Sequence, residues 1–511
     1  MPTAKDFDLV LNWFSCNPLS AENVTSQIDA TSFLLSFVCQ LAPLRLIVCA
    51  LAAFFTKQDE KVTLGYYYRA VKAISRIDLR KPSIASVAAF VFIQEFCIGY
   101  LGVTFGKPYF LTALRQMSQL ALDIDPDDSP WLYHLNLTQV QKEERRRIFW
   151  SMCYYHYQLL SISRDEPNVI LNLSSVKPMK AIPGTSFHAA EFIPWECKIL
   201  AVISKIKASF AEPPLDPFDL IASSETINLG AQVLSLAIPP QFILTTSSGE
   251  LTPDEHANFV AQLSGLSARG EATGTIGITL FYNAAICILH HPKLLLLGFL
   301  PFTATFSAEQ VTILSLAIDQ AIAAAVEISV VCEFLLAPVA GPNSPQNLKF
   351  WGIQLFTAVS MFQGLTTLWF VACRLPLHWW ISKRHSRFLM KRAMIIAQVI
   401  HQLDSGHRPN QKPFEMLQPL VRTSEAMLQE MNKMIGERDD RPSPFSEQSN
   451  LDDLIVSMKV LSVGKVEVPD SRQEPWSHLG MMGVELEGGI RWYGRFEIEW
   501  REFWNSLSLL E

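Results

Sequence analysis

Thr138-Gln139-Val140-Gln141-Lys142-Glu143-Glu144-Arg145-Arg146-Arg147-Ile148-Phe149-Trp150, continuing to Ile162, is the stretch that decides the fold class. Ile148, Met152, Tyr155, Leu159 and Ile162 follow one another at spacings of four, three, four and three. That is the period of one apolar face of an α-helix. Glu143 stands four residues before Arg147, an arrangement expected to form an exposed ion pair contributing roughly 0.3–0.5 kcal/mol. The same logic assigns Arg145-Arg146-Arg147 to a solvated helix face, because three cations behind two glutamates follow the pattern of surface charge.

Reading outward, helices dominate. Gly65 to Arg76 reads as a helix, and Pro82 favours the first turn of the next, from Ser83 to Tyr100. Gly99, Gly102, Gly106 and Pro108 predict a break, Tyr109 to Leu122 a further helix, and Asp123 to Pro130 a polar loop. Downstream, Thr245 to Gly277 is small and polar, a loop-rich insertion near 240–278. Helices are expected again over Leu280–Leu297, Ser307–Leu336 and Lys349–Arg374. No strand alternation and no fixed-period repeat is present. The expectation is an all-α protein with a short N-terminal segment, 1–30, and a large helical domain, 31–407. Residues 408–511 complete it as a linker and a partly disordered acidic–aromatic tail. In that tail, glutamates alternate with Trp492, Tyr493, Phe496, Trp500, Phe503 and Trp504. Such a composition suits either recruitment of a partner or a last helix docked on the core.

The chain has 511 residues, 49% of them hydrophobic and 18% charged, with a mean hydropathy of +0.19. Such a balance requires a large core or membrane segments. Two apolar runs, 33–55 and 350–373, are long enough to raise the second possibility. The first carries Gln40 and Arg45 near its centre, and the second holds Gln354, Gln363 and two glycines. A central Arg opposes insertion by about 2.5–3.5 kcal/mol, so a core origin is the expectation and a membrane protein the alternative. The net charge of −7 argues against a generally basic surface. The first forty residues contain one cation, Lys5, too few to neutralise DNA phosphates. None of the nine cysteines forms a Cys-x-x-Cys pair, which excludes a zinc finger or zinc cluster. They read as reduced thiols buried in helices.

Apparent chemical motifs dissolve on their spacing. Gly102-Val103-Thr104-Phe105-Gly106-Lys107-Pro108 has three residues between its glycines and a proline after the lysine, where a phosphate loop needs four and a hydroxyl. Asp123, Asp125, Asp127 and Asp128 fail the calcium-loop pattern, whose sixth and twelfth positions here hold Asp128 and His134. His290-His291 reads as a helix end stopped by Pro292. No catalytic, cofactor-binding, metal-binding or DNA-binding residue is assigned, and the chain is not read as an enzyme.

A series of motifs nevertheless falls into a recognisable register: Tyr66-Tyr67-Tyr68-Arg69-Ala70, Lys81-Pro82-Ser83-Ile84-Ala85-Ser86-Val87, Ala113-Leu114-Arg115-Gln116-Met117, Leu120-Ala121-Leu122-Asp123-Ile124-Asp125-Pro126 and Glu143 to Trp150. Downstream come Leu280-Phe281-Tyr282-Asn283 and Leu289-His290-His291-Pro292-Lys293-Leu294. This order resembles the middle homology region of fungal zinc-cluster transcription factors, over roughly residues 35–375. Gln116-Met117 and Ala121 stand where the family signature has Met-Ala and Gly, and Asp165-Glu166 where it has Gly-Arg. The resemblance implies an all-helical regulatory domain in a nuclear regulator of a metabolic or secondary-metabolite gene cluster. Without a zinc cluster, DNA would be reached through a DNA-binding or homodimer partner and not directly, with the tail available to the transcription machinery. Beside that, the residues themselves suggest scaffold roles. Ala113 and Ala121 allow close helix approach, Trp150 is an apolar anchor, and Arg115 is expected to pair with a carboxylate.

Overall fold

The computed structural model describes residues 2–16, 27–101, 103–162, 171–180, 189–210, 212–223, 225–242, 244, 253–268, 272–299, 306–336, 354–376, 379, 386–405, 417–438 and 497–508. Among them every regular element is helical and no strand occurs, as the sequence requires.

Helix α1 (Ala4–Cys16) and the short α2 (Ala30–Leu35) lead into α3 (Ala42–Phe55), which packs along α4 (Glu60–Ile74). Asp29 caps α2 by accepting from the Ser32 amide at 2.7 Å, and Asp59 caps α4 through the Lys61 amide at 2.8 Å. Helix α5 (Ile84–Phe96) starts from a reciprocal capping box between Ser83 and Ser86, just after Pro82. The break expected at Gly99–Pro108 is narrower than its glycines suggest. Cys97–Leu101 continues as a π-helical turn, and α6 (Val103–Gln119) contains both Gly106 and Pro108. Gly106 serves a close approach and not a turn: a Cβ there would lie 2.8 Å from the Gln94 Cα of α5. Pro108 lies early in α6, where its missing N–H removes a single intrahelical bond.

Helix α7 (Gln139–Ile162) pairs with α8 (Ala189–Ser209), and α9 (Asp219–Ser223) and α10 (Glu225–Ala237) follow. The remainder consists of α11 (Pro253–Ala268), α12 (Ala272–Phe299), α13 (Ala308–Leu336), α14 (Gln354–Cys373), α15 (Ser386–Ser405), α16 (Gln418–Arg438) and α17 (Glu497–Ser508). Three expectations are corrected here. The insertion at 240–278 contains α11, whose Phe259, Leu263 and Leu266 are buried at helical spacing. Pro292 does not end a helix: α12 runs through it to Phe299, with neighbours burying it on every turn. The region after 408 is not all tail, because α16 packs on α14 and α15; of the two readings left open for the tail, α17 with its buried Trp500 follows the docked helix. Residues 439–496, with Trp492 and Tyr493, lie outside the described residues.

Helix α12 is the hub, contacted by α8, α11, α13, α14 and α17, and one apolar core extends from Val10 to Leu507. Of the thiols described, Cys49, Cys97, Cys153, Cys197, Cys287, Cys332 and Cys373 are buried, while Cys39 is exposed. The run 33–55 is not one helix. A 3-10 turn at Phe37–Cys39 interrupts it, and Arg45 Nη1 ties that turn down by donating to the carbonyls of Phe37, Val38 and Gln40 at 3.3, 3.0 and 3.2 Å. In the second run, α14 is enclosed by α12, α13, α15 and α16. Its end is held by Glu430, which accepts from Trp369 Nε1 at 2.9 Å and pairs with Arg374 at 2.5 Å. Three other segments, Ile84–Leu101, Gly274–Gly298 and Ala308–Leu336, have the length and composition to cross a membrane. Their windows are 67%, 94% and 50% buried within the protein, so the most enclosed of them is the hub helix itself.

Candidate functional site

The densest polar constellation lies where α6 hands over to α7. Helix α6 ends in a paired cap: Leu122 N–H bonds to the Met117 carbonyl at 3.0 Å and Ala121 N–H to that of Ser118 at 3.1 Å. This cap places its penultimate residue in the left-handed region, and Ala121 indeed has φ of 50°. Glycine adopts that conformation without the Cβ penalty. Ala121→Gly is therefore expected to stabilise the protein by about 0.5–1 kcal/mol, read as a rise in the urea midpoint at constant m-value.

The chain beyond this cap delivers Asp125 to α7. Its carboxylate receives Arg146 Nε and Nη2, both at 2.8 Å, in a two-pronged pair. The backbone amides of Asp127 and Lys177 donate to the same carboxylate at 3.0 and 2.9 Å. Arg146 also reaches Asp127 and Glu143, each at 2.5 Å, while the second Glu143 oxygen accepts from the Lys180 amide at 2.9 Å. Lys142 and Lys177 close the outer rim on Asp127 and Asp128 at 2.7 and 2.8 Å. Asp125, Glu143 and Arg146 are 1, 2 and 1% exposed, so this is an interior ion cluster. Burial by itself would raise the Asp125 carboxyl. The Arg146 hydrogen bonds and the two backbone amides overcome that and hold it below the usual carboxylate range. The bonds from Asp125 in turn raise Arg146 above its ordinary value. Both oxygens of Asp125 already accept two bonds each, so the arrangement is a clamp and not a proton-transfer centre.

Several sequence expectations change here. Arg145, Arg146 and Arg147 do not form a solvated face: they are 5, 1 and 2% exposed. Glu143 is buried and bonds to Arg146, three residues on, rather than forming an exposed pair with Arg147. The aspartates after α6 are more than a polar loop, since Asp125 supplies the clamp's centre. Arg115, expected to meet a carboxylate, is exposed on α6 and makes no ion pair among the described residues. Arg145 instead caps α6 by donating to the Leu120 carbonyl. Trp150 is an anchor as expected, 1% exposed, and its Nε1 bonds to the Lys177 carbonyl at 2.9 Å. Ala113 is fully buried on α6.

Beside the clamp, Glu144 and Arg147 border a pocket of about 80 Å³, together with Asp29, Phe33, Gln40 and Ala88. Burial raises Glu144 and lowers Arg147, and each opposes the shift of the other. The space suits a few waters rather than a ligand of ordinary size. A second buried polar group lies along α12. His291 Nε2 meets Thr367 Oγ1 at 2.9 Å, Asn283 Nδ2 donates to Glu327 at 3.0 Å, and Lys293 bonds to Glu225. Burial, reinforced by the Lys293 charge, pushes His290 down to about 3, so its imidazole is neutral at physiological pH. These side chains tie α12 to α10, α13 and α14 and present no converging set toward solvent. Among the described residues no three His, Cys, Asp or Glu side chains converge as metal ligands. The chain matches no protein-family model, no curated protein and no solved structure.

Proposed function

We propose that this protein is a transcriptional regulator, similar in kind to the helical domain of fungal zinc-cluster transcription factors. It acts in the nucleus on a metabolic or secondary-metabolite gene cluster and finds its promoters through a DNA-binding partner. The observation that carries this reading is the clamp. Two motifs of the resemblance, Leu120–Pro126 and Glu143–Trp150, meet in space through Asp125, Arg146 and Glu143. Motif residues whose charges are satisfied by one another and by backbone amides, holding the domain together, suit a regulatory scaffold better than an enzyme. The tail contributes less to recruitment than its composition suggests, because Trp500 is committed to the core.

Chromatin immunoprecipitation of the tagged chain, with expression profiling after deletion and fractionation of the same cells, tests this. Enrichment at a small set of promoters whose genes fall silent on deletion is the expected result. A carbonate-resistant membrane pool with no enrichment and no change in expression would overturn it.

A further inference from the structure

In a chain of net charge −7, residues 57–81 carry seven cations, Lys57, Lys61, Arg69, Lys72, Arg76, Arg80 and Lys81, against three acids, Asp59, Glu60 and Asp78. The structure sorts them. Thr63, Tyr67, Ala70 and Ile74 bury one side of α4 against α3 and the core. Lys61, Tyr68, Arg69 and Lys72 fall at spacings of seven, eight and eleven, which places them on the opposite side. All four are exposed, and Arg76 follows at the turn after the helix, also exposed. Among the described residues Lys61, Lys72 and Arg76 form no salt bridge, whereas Asp78 is occupied by Arg80 at 3.0 Å. Arg69 stacks over Tyr66 at 5.5 Å from the ring centroid. Tyr68, 60% exposed, lies between the cations. At Gly65 an added Cβ would meet nothing within 4 Å, so the ridge is open above its middle.

The geometry points to this ridge as a docking face for the phosphates of duplex DNA. It deepens the regulatory reading and rests on it for the identity of the polyanion. A convex helix offers no groove to enclose a peptide, and the only apolar side chains exposed along α4 among the described residues are Tyr68 and Val62, little for one to cover. A half-exposed helix, about 10–12 Å across, does match the roughly 12 Å major groove, and phosphate contacts draw their affinity from counterion release and not from apolar burial. The face reads no sequence. It adds non-specific grip while the partner selects the promoter. This revises the expectation that the chain makes no direct contact with DNA, because the acidic total hides a locally basic face.

The test is fluorescence anisotropy of a labelled DNA duplex of about two helical turns titrated with the full chain. Four phosphate contacts predict a log–log salt slope of about −3.6, or roughly a hundred-fold loss of affinity between about 50 and 200 mM salt. The double reversal Lys61→Glu and Lys72→Glu is expected to reduce the slope by about two and weaken binding at least ten-fold, with an unchanged melting temperature. Absence of binding by the wild-type chain, equal binding by the reversed chain, or a preference for a polyglutamate peptide would each overturn the inference. In those cases, promoter enrichment of the wild-type chain in cells would still uphold regulation through a partner, so the two ideas fail separately.

Discussion

Arg146→Met is expected to lower the unfolding free energy by about 3–5 kcal/mol, a large part of the stability of an ordinary domain. The methionine fills most of the side-chain volume, so the loss is electrostatic rather than a cavity. Asp127 keeps Lys142 and is partly exposed. Buried Asp125, however, keeps only two backbone amides and the more distant Lys177 ammonium at 3.7 Å, and buried Glu143 only backbone and side-chain amide donors. An uncompensated interior charge is what makes breaking such a cluster costly. Adding Asp125→Asn to the variant should recover part of the loss, since the amide oxygen still accepts a backbone bond and carries no charge.

The pH dependence provides a second readout. The folded-state value of Asp125 is depressed, so its contribution is fully present above the unfolded carboxylate value of about 3.9. It is lost as pH falls from there through the folded value. In Arg146→Met the buried Asp125 loses the bonds that hold it ionised and favours protonation. The gap between variant and wild type should therefore begin to narrow before pH falls to about 4 and go on narrowing below it. Urea titrations across that range measure both effects. A loss under about 1 kcal/mol at neutral pH would show the clamp to be dispensable.

Gly106→Val is the second large effect, with an expected loss of about 1–3 kcal/mol. A Cβ at this position would lie 2.2 Å from Gln94 Oε1, 2.8 Å from Gln94 Cα and 3.0 Å from Cys97 Cβ. The first atom could swing away. The Cα cannot, so α5 and α6 must separate and their interface, with Phe90, Ala113 and Met117, must loosen. Gly65 on α4 is the control, because it meets nothing within 4 Å. There Gly65→Ala is expected to gain roughly 0.5–1 kcal/mol through helix propensity. Similar losses at both glycines would rule out close approach as the reason for Gly106.

What the sequence made legible was local. The apolar stripe of α7, the all-α class and the buried cysteines follow from periodicity and residue type. The clamp could not be read because its geometry is long-range: Arg146 finds Asp125 twenty-one residues away and Lys177 closes the site from fifty-two residues beyond Asp125. A charge-pattern rule sees only the neighbouring glutamates and returns a solvated face. Pro292 misled for a related reason. Breaking one bond in a helix interior costs about 3 kcal/mol, a penalty that the packing of a 28-residue hub helix exceeds. The insertion at 240–278 was different, since Phe259, Leu263 and Leu266 carried a helical period that the surrounding serines and glycines obscured. The basic ridge was hidden by averaging, as a whole-chain charge of −7 does not resolve one face of one helix.

The burial of Trp500 against the hub has a consequence for how the chain is made. Roughly 200 residues separate Phe299, the end of α12, from Trp500. At about 5–20 residues per second, some 10–40 s pass on the ribosome between the completion of that helix and the arrival of its last neighbour. Throughout that interval an apolar site at the centre of the protein faces water. Helix α17 is thus a late seal on a hub helix that precedes it by roughly 200 residues, and the nascent chain offers that site to chaperones and to aggregation until α17 has been made.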